Sequence, residues 1–251
     1  MPYLKEVRFD WSKVSNSNKY PFNIPSISEV TSITFESDVT FFVGENGSGK
    51  STLLEAIAHK CGFAYQGGGK NNIFAVDTVN DADFALEEIL TLSWMPKLKD
   101  GFFLRAETFF NFAGYLDELA QDPWRGGHSV YLPYGGKSLN EQSHGEAFLS
   151  LFLNRFNQKG IYLLDEPEAA LSPQRQLAFL IVMHQLIEKG NTQFIIATHS
   201  PILMGFPHAV IYDFDHCPLD KIAYKETDHY QITKRFLNDT EGYIKKLLNE
   251  S

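Results

Sequence analysis

The chain has 251 residues and a mass of 28.5 kDa, the size of one large domain or of a domain with a built-in lobe. Apolar residues at 43% and charged residues at 21% exclude extended disorder and collagen-like folds, and 31 acidic against 22 basic residues, a net charge of −9, opposes coating nucleic acid by bulk electrostatics while leaving a local basic groove open. No apolar run approaches the roughly 20 residues that cross a bilayer, and the start, Met1 to Asp10, is charged where a signal peptide would be apolar, so a cytoplasmic protein is expected. Cys61 and Cys217 lack partners at metal-ligand spacing and are expected to be reduced residues in or near the core.

In chain order, Thr31 to Val43 reads as two short strands: Ile33 and Phe35 alternate with polar neighbours, Glu36-Ser37-Asp38 turns the chain, and Val39 to Val43 is a β-rich apolar run. From Ser51 the pattern is helical, with Leu53, Leu54, Ile57 and Ala58 on one face until Gly62. Gly67-Gly68-Gly69 marks a flexible turn, and Phe102 to Ala106 a buried strand. A loop over Gly126 to Ser143 leads to a helix from Gly145 to Asn157, with Phe148, Leu149, Phe152 and Phe156 among its apolar positions. The strand Ile161 to Leu164 follows. Ser172 as N-cap and Pro173 in the first turn open another helix, with Leu177, Leu180, Ile181, His184 and Ile187 at helical spacing, and Gly190 ends it. Strands Phe194 to Ala197 and Val210 to Tyr212 come next, then one or two helices over Tyr230 to Leu248, broken near Asn238-Asp239. Strands alternating with helices predict an α/β fold with a mostly parallel sheet.

The chemistry is concentrated in Gly44-Glu45-Asn46-Gly47-Ser48-Gly49-Lys50-Ser51, which follows the pattern G-x-x-x-x-G-K-[ST] and stands between a strand and a helix. Glycines let consecutive N–H groups turn inward around phosphate oxygens, and the helix N-terminus, including Thr52, adds its positive end. Lys50, read as part of a surface loop, meets the β and γ phosphates of ATP, while the Ser51 hydroxyl binds Mg²⁺. Ile161 to Leu164 runs into Asp165-Glu166, so one carboxylate at the strand end can hold Mg²⁺ and the next can face the attacking water.

With these two motifs, the signature-like Gln142-Ser143-His144-Gly145-Glu146, the D-loop-like Ala170-Leu171-Ser172 and the string Ala197-Thr198-His199-Ser200-Pro201, most of the chain resembles the ATP-binding-cassette (ABC) ATPases in order and spacing. The wording G-x-N-G-S-G-K-S and A-T-H-S-P resembles the RecF, OLD and structural-maintenance-of-chromosomes (SMC) group of soluble ATPases, in a compact stand-alone form of the AAA type. The resemblance implies one domain over 1–251, with the P-loop part at 1–106, a small helical signature lobe at 107–157 and the remainder at 158–251. It also implies N-terminal antiparallel strands, and a head-to-tail homodimer in which Ser143, Gly145 and Glu146 of one subunit cap the ATP on the other's P-loop. Glu166, His199 and Lys50 would be catalytic, with Ser51, Asp165 and Glu107 on the metal, Glu107 filling the Q-loop position. The imidazole of His144 replaces the usual first signature glycine, and Ser172 stands where a D-loop aspartate is common.

Only 35 residues, Thr108 to Gln142, lie between Glu107 and Ser143, without a heptad pattern, so a long coiled-coil arm has no room within the chain. Tyr20 and Phe22 are candidates to stack on adenine, although packing is the commoner role of such rings. Trp11, Trp94 and Trp124 are expected to pack in the core or lobe. Lys97, Lys99, Arg105 and Lys137 could form a basic patch, with a solvated face as the plainer reading. The leading expectation is a soluble ATPase whose cycle acts on a protein or nucleic-acid partner. Its rivals are the nucleotide-binding subunit of an ABC transporter, disfavoured by S-H-G-E and by Ser-Pro after His199, and a regulator that binds ATP without cutting it, disfavoured by the intact Lys50, Asp165, Glu166 and His199.

Overall fold

A computed structural model describes residues 1–64, 81–98, 100–125, 127–155, 159–190 and 192–248. The expected turn at Gly67-Gly68-Gly69, together with Lys99, Gly126, Phe156, Asn157 and the His144 side chain, lies outside what is described.

The central sheet has the order β5-β6-β7-β3-β8-β9, made of Gly101–Arg105, Gly160–Asp165, Thr192–Ala197, Val39–Val43, Val210–Asp213 and Asp220–Lys221. All its pairings are parallel except β8 with the short edge strand β9. Strand residues alternate between two cores, as period two requires. Val39, Phe41, Val43, Tyr162, Leu164, Phe194 and Ile196 face one core; Phe42, Ile161, Leu163, Ile195 and Ala197 face the other. Both faces are therefore covered, which explains why these strands read as continuous apolar runs.

On the second face lies helix α2 (Lys50–Cys61), which buries Leu53, Leu54, Ile57 and Ala58 as expected. Gly62, at φ +86°, ends it in the left-handed conformation that its lack of a Cβ makes cheap. An antiparallel sheet β2-β1-β4 (Ser32–Thr34, Leu4–Phe9, Leu90–Trp94) packs in the same core. The implied N-terminal antiparallel strands are thus present. Strand β1 escapes a period-two reading because its register against β4 shifts between Leu4 and Glu6, so Leu4 and Val7, three apart, both turn inward. The buried Gln193 ties this sheet to β7: its Oε1 accepts from Tyr3 N at 3.0 Å and Leu4 N at 2.8 Å, and its Nε2 donates to Leu4 O at 3.1 Å.

The first face carries the lobe and two of the predicted helices. Helix α4 (Phe109–Gln121) buries Phe109, Phe112, Ala113 and Leu116, a helical stripe that was available in the sequence. Short 3₁₀ turns, Gly127–Tyr134 and Leu139–Glu141, fill the expected loop and lead to α5 (His144–Arg155), which packs Phe148 and Phe152. Helix α6 (Pro173–Glu188) starts at Ser172, whose Oγ accepts from Arg175 N, but its buried face is Gln176, Phe179, Met183 and Leu186. Leu177 and Ile181, expected on the apolar stripe, are more than half exposed. The last two helices are α8 (Asp228–Asn238) and α9 (Thr240–Leu248), separated at Asp239 as predicted. Between α2 and β4, α3 (Asp81–Ile89) contributes Leu86 and Ile89 to the second core.

Other expectations are corrected. Trp124 is 97% exposed, so it packs in neither core nor lobe, whereas Trp11 stacks on Phe9 and Trp94 packs against the second core. Cys61 is buried but Cys217 is exposed. Arg105 sits at the end of β5 and pairs with Glu55 at 2.7 Å, which removes it from any patch on the lobe. No described helix is long and apolar enough to cross a membrane.

Candidate active site

The P-loop runs from the end of β3 to the start of α2. Gly44, Gly47 and Gly49 all take positive φ. At Gly49, φ +102°, a Cβ would come within 2.7 Å of Ile24, so glycine is required by conformation and by space. The wall it meets is a short helix, α1 (Pro25–Ser28), with Ile24 and Ile27 against Gly49 and Ser26 Oγ donating to Ser48 O. No side chain caps α2, so its first N–H groups are left for another acceptor. They open on a cavity of about 170 Å³ lined by Tyr20, Ile24, Asn46, Gly47, Gly49, Lys50, Ser51, Thr52 and Glu166.

Lys50 is not a surface-loop residue. It is the first residue of α2, only 4% exposed, and its Nζ donates to Gly44 O at 2.8 Å and Glu45 O at 2.7 Å. Burial holds the ammonium below the usual lysine range, against the opposing pull of Glu166, Asp215, Asp165 and Glu45. Ser51 Oγ donates to Asp165 Oδ1 at 2.9 Å, so two residues expected on the metal, from distant motifs, meet directly. Burial pushes the Asp165 carboxyl up, and Ser51 and Arg105 oppose it. A divalent cation fits here: the donors are oxygens, and the buried Asp165 carboxylate, beside Glu166, has Arg105 Nε 3.6 Å away as a counter-charge.

Glu166 follows Asp165 at φ +48°, a left-handed turn secured by its N–H donating to Ala197 O at 2.9 Å. That turn brings its carboxylate to the cavity, where Oε1 lies 3.6 Å from His199 Nε2. The His199 N–H donates to Glu168, a carboxylate that burial pushes up. Ser200 caps α7 (Pro201–Met204) and donates to the buried Gln176, which in turn donates to Leu171 O in the D-loop-like turn. The D-loop-like segment and the switch-like histidine are therefore mechanically joined.

The signature-like residues stand apart. Ser143 precedes α5 and donates through both N–H and Oγ to the Glu146 carboxylate, and its Oγ accepts from Arg175 at 3.3 Å. Gly145 is buried against the Arg175 side chain, which a Cβ would have to displace. Ser143, Gly145 and Glu146 do not line the P-loop cavity; Gln142, Glu146 and Arg175 line a second cavity. Glu107 is 82% exposed and pairs with Arg105 at 3.4 Å. Tyr20 reaches the first cavity, its hydroxyl 3.0 Å from Thr52 Oγ1, whereas Phe22 packs edge-on against Trp11.

Sequence reasoning missed Asp215, whose carboxylate accepts from Glu45 N–H at 2.8 Å and braces the loop from beyond β8. It also missed Ile24 and Ser26, Glu168, and His229 on α8. None carries a local motif; each is recruited by folding.

A P-loop uncapped toward a cavity, a lysine behind it, and a serine–aspartate pair with a glutamate and histidine at the ends of adjacent parallel strands define a P-loop ATP-hydrolysing enzyme. Comparison with known proteins agrees: an AAA ATPase domain model matches residues 138–204 and an AAA domain model residues 22–92. The two matched stretches, both of AAA type, carry the P-loop and the acidic strand end. The chain is 36% identical over 72 residues to protein ea59 of Escherichia phage lambda, a stretch that covers 27% of this chain but only 14% of that protein. Among solved structures it is similar to the SMC head domain from Thermotoga maritima, at 16% identity and TM-score 0.47, covering 88% of this chain and all of the other (100%). It is similar also to an SMC head bound to the C-winged helix domain of ScpA, at 14% identity and TM-score 0.48, covering 88% and 98%.

Proposed function

We propose that this ATPase hydrolyses ATP in composite sites formed by an ATP-dependent head-to-tail homodimer, and that the closing and opening of the pair acts on a protein or nucleic-acid partner. The observation that carries this reading is the separation of the two halves of the motif set. Lys50, Ser51 and Glu166 line one cavity, with Asp165 bonded to Ser51 and His199 3.6 Å from Glu166, whereas Ser143 precedes α5 near another. A signature at a helix N-terminus that does not serve its own P-loop is suited to cap the γ-phosphate held by a second copy.

Within one site, the N–H groups of Gly47 to Thr52 and the Lys50 ammonium bind the phosphates. Ser51 and Asp165 would hold Mg²⁺, which when bound draws negative charge from the β- and γ-phosphate oxygens. Glu166 orients a water toward the γ-phosphorus and accepts its proton as the new P–O bond forms and the bond to the ADP oxygen breaks. His199 Nε2, facing Glu166, donates to a γ-phosphate oxygen. Tyr20, at the cavity rim, is placed to contact the nucleotide.

Glu166→Gln tests the scheme, because it keeps the size of the side chain and removes the base. The variant should bind ATP without cutting it and run as a dimer by light scattering with ATP and Mg²⁺, but as a monomer or looser pair with ADP. Tight ATP binding with the same mass in both nucleotides would refute the ATP-driven dimer.

A further inference from the structure

We propose that His229, on α8, is a positioning residue that holds His199 in the tautomer with its proton on Nε2. The inference rests on the reading that His199 faces the γ-phosphate, and adds what prepares it to do so. His229 Nε2 lies 3.0 Å from His199 Nδ1, with the two rings tilted by 50°. One of these nitrogens must donate and the other accept. On its other side, His199 Nε2 lies 3.6 Å from the acceptor-only carboxylate of Glu166. A lone pair on Nε2 would face that carboxylate, and later a phosphate oxygen, with like polarity. A proton on Nε2 satisfies both directions at once, and His199 Nδ1 then accepts from His229 Nε2–H.

Other groups around the ring leave this arrangement in place. The His199 backbone N–H is committed to Glu168, and Lys50 and Glu45 contribute only through their charge. Burial, then Lys50, hold the His199 imidazole below its usual range despite Glu166, so it is neutral near neutral pH and its tautomer is the open variable. His229 is itself held in place. Thr227 caps α8 by accepting from Tyr230 N, Tyr230 packs edge-on against Tyr224, and the Tyr224 hydroxyl donates to Pro201 O, two residues after His199. Helix α8 is thus anchored to the segment whose histidine it orients.

The test reads the tautomer directly. The full chain, labelled with ¹⁵N-histidine and held well above the usual imidazole pKa, is examined by long-range ¹H–¹⁵N NMR. The His199 signals are identified by their disappearance in His199→Asn. Wild type should show Nε2–H at His199. His229→Gln, which keeps a donor amide in reach, should retain it with kcat within about threefold, whereas the acceptor-only His229→Glu should shift His199 to Nδ1–H. His229→Glu and His229→Leu should lower kcat by about tenfold, the scale of one positioned hydrogen bond, with little change in the KM for ATP. An Nδ1–H form in wild type, or a tautomer that does not respond to His229→Glu, would overturn the proposal. His199→Ala separates the two ideas: unchanged ATPase activity there would remove the γ-phosphate role, while the NMR result would still decide what His229 does.

Discussion

At Lys50, two properties of one side chain pull in opposite directions. Its ammonium donates to two carbonyls, yet burial lowers its pKa, so the bare protein gains little net stability from it. Lys50→Ala should therefore leave the melting temperature nearly unchanged while reducing ATPase activity by roughly 100-fold or more, the scale seen when a charge-stabilising group is lost from a transition state. A calorimetric scan and a phosphate-release assay on the same preparation check both halves. Glu168 offers a second prediction. Its folded-state pKa is raised by burial, so its favourable contribution is complete at acidic pH and is lost as pH rises from the ordinary 4.5 through the folded value. Glu168→Gln keeps an oxygen for the His199 N–H and removes the buried charge. The melting temperature of the variant relative to wild type should accordingly climb as pH is raised across that window, and a flat difference would contradict the assignment.

Among elements, the β2-β1-β4 sheet is tied to β7 by one buried amide. Gln193 makes three hydrogen bonds to the backbone of Tyr3 and Leu4, and Gln193→Leu would strand those groups in a dry interior. At about 1 kcal/mol for each bond lost, the cost should be about 3 kcal/mol, measured by urea denaturation. Helix α1 acts on the phosphate loop instead. Ile24, Ile27 and Ser26 form the wall behind Gly49, so a four-residue helix sets the shape of that loop. Helix α5 combines hydrogen bonds from Ser143 to the Glu146 carboxylate at its start with an expected role toward a second subunit. The residues that stabilise its start are the ones the signature presents.

For the whole molecule, the division between the P-loop cavity and the signature end predicts complementation. A Lys50→Ala subunit and a Ser143→Arg subunit should each be inactive alone. Mixed, they make one composite site carrying both defects and one carrying neither, so part of the activity should return. Failure to recover activity once mixed dimers have been demonstrated would speak against composite sites.

How much was legible varies with the range of the interaction. The P-loop, the strand ending in Asp165-Glu166, the capped helix after Ser172 and the break at Asp239 were readable because glycine φ angles, strand periodicity and caps act within a few residues. The phosphate loop, the order of strands and helices around it and the types of the candidate catalytic residues were set by local sequence. Tertiary structure decided the rest. Helix α6 carries apolar residues on more than one side, and only the position of the sheet selected Phe179 and Met183 over Leu177 and Ile181. Strand β1 was hidden by its register shift, which is a property of its pairing with β4. The bond between Ser51 and Asp165 spans 114 residues, and Asp215 reaches the P-loop across 170. His229 likewise lies 30 residues from the histidine it touches and has no motif of its own. Local geometry follows from nearest neighbours along the chain, whereas burial, charge and proton placement depend on which distant segments the packed sheet brings into contact.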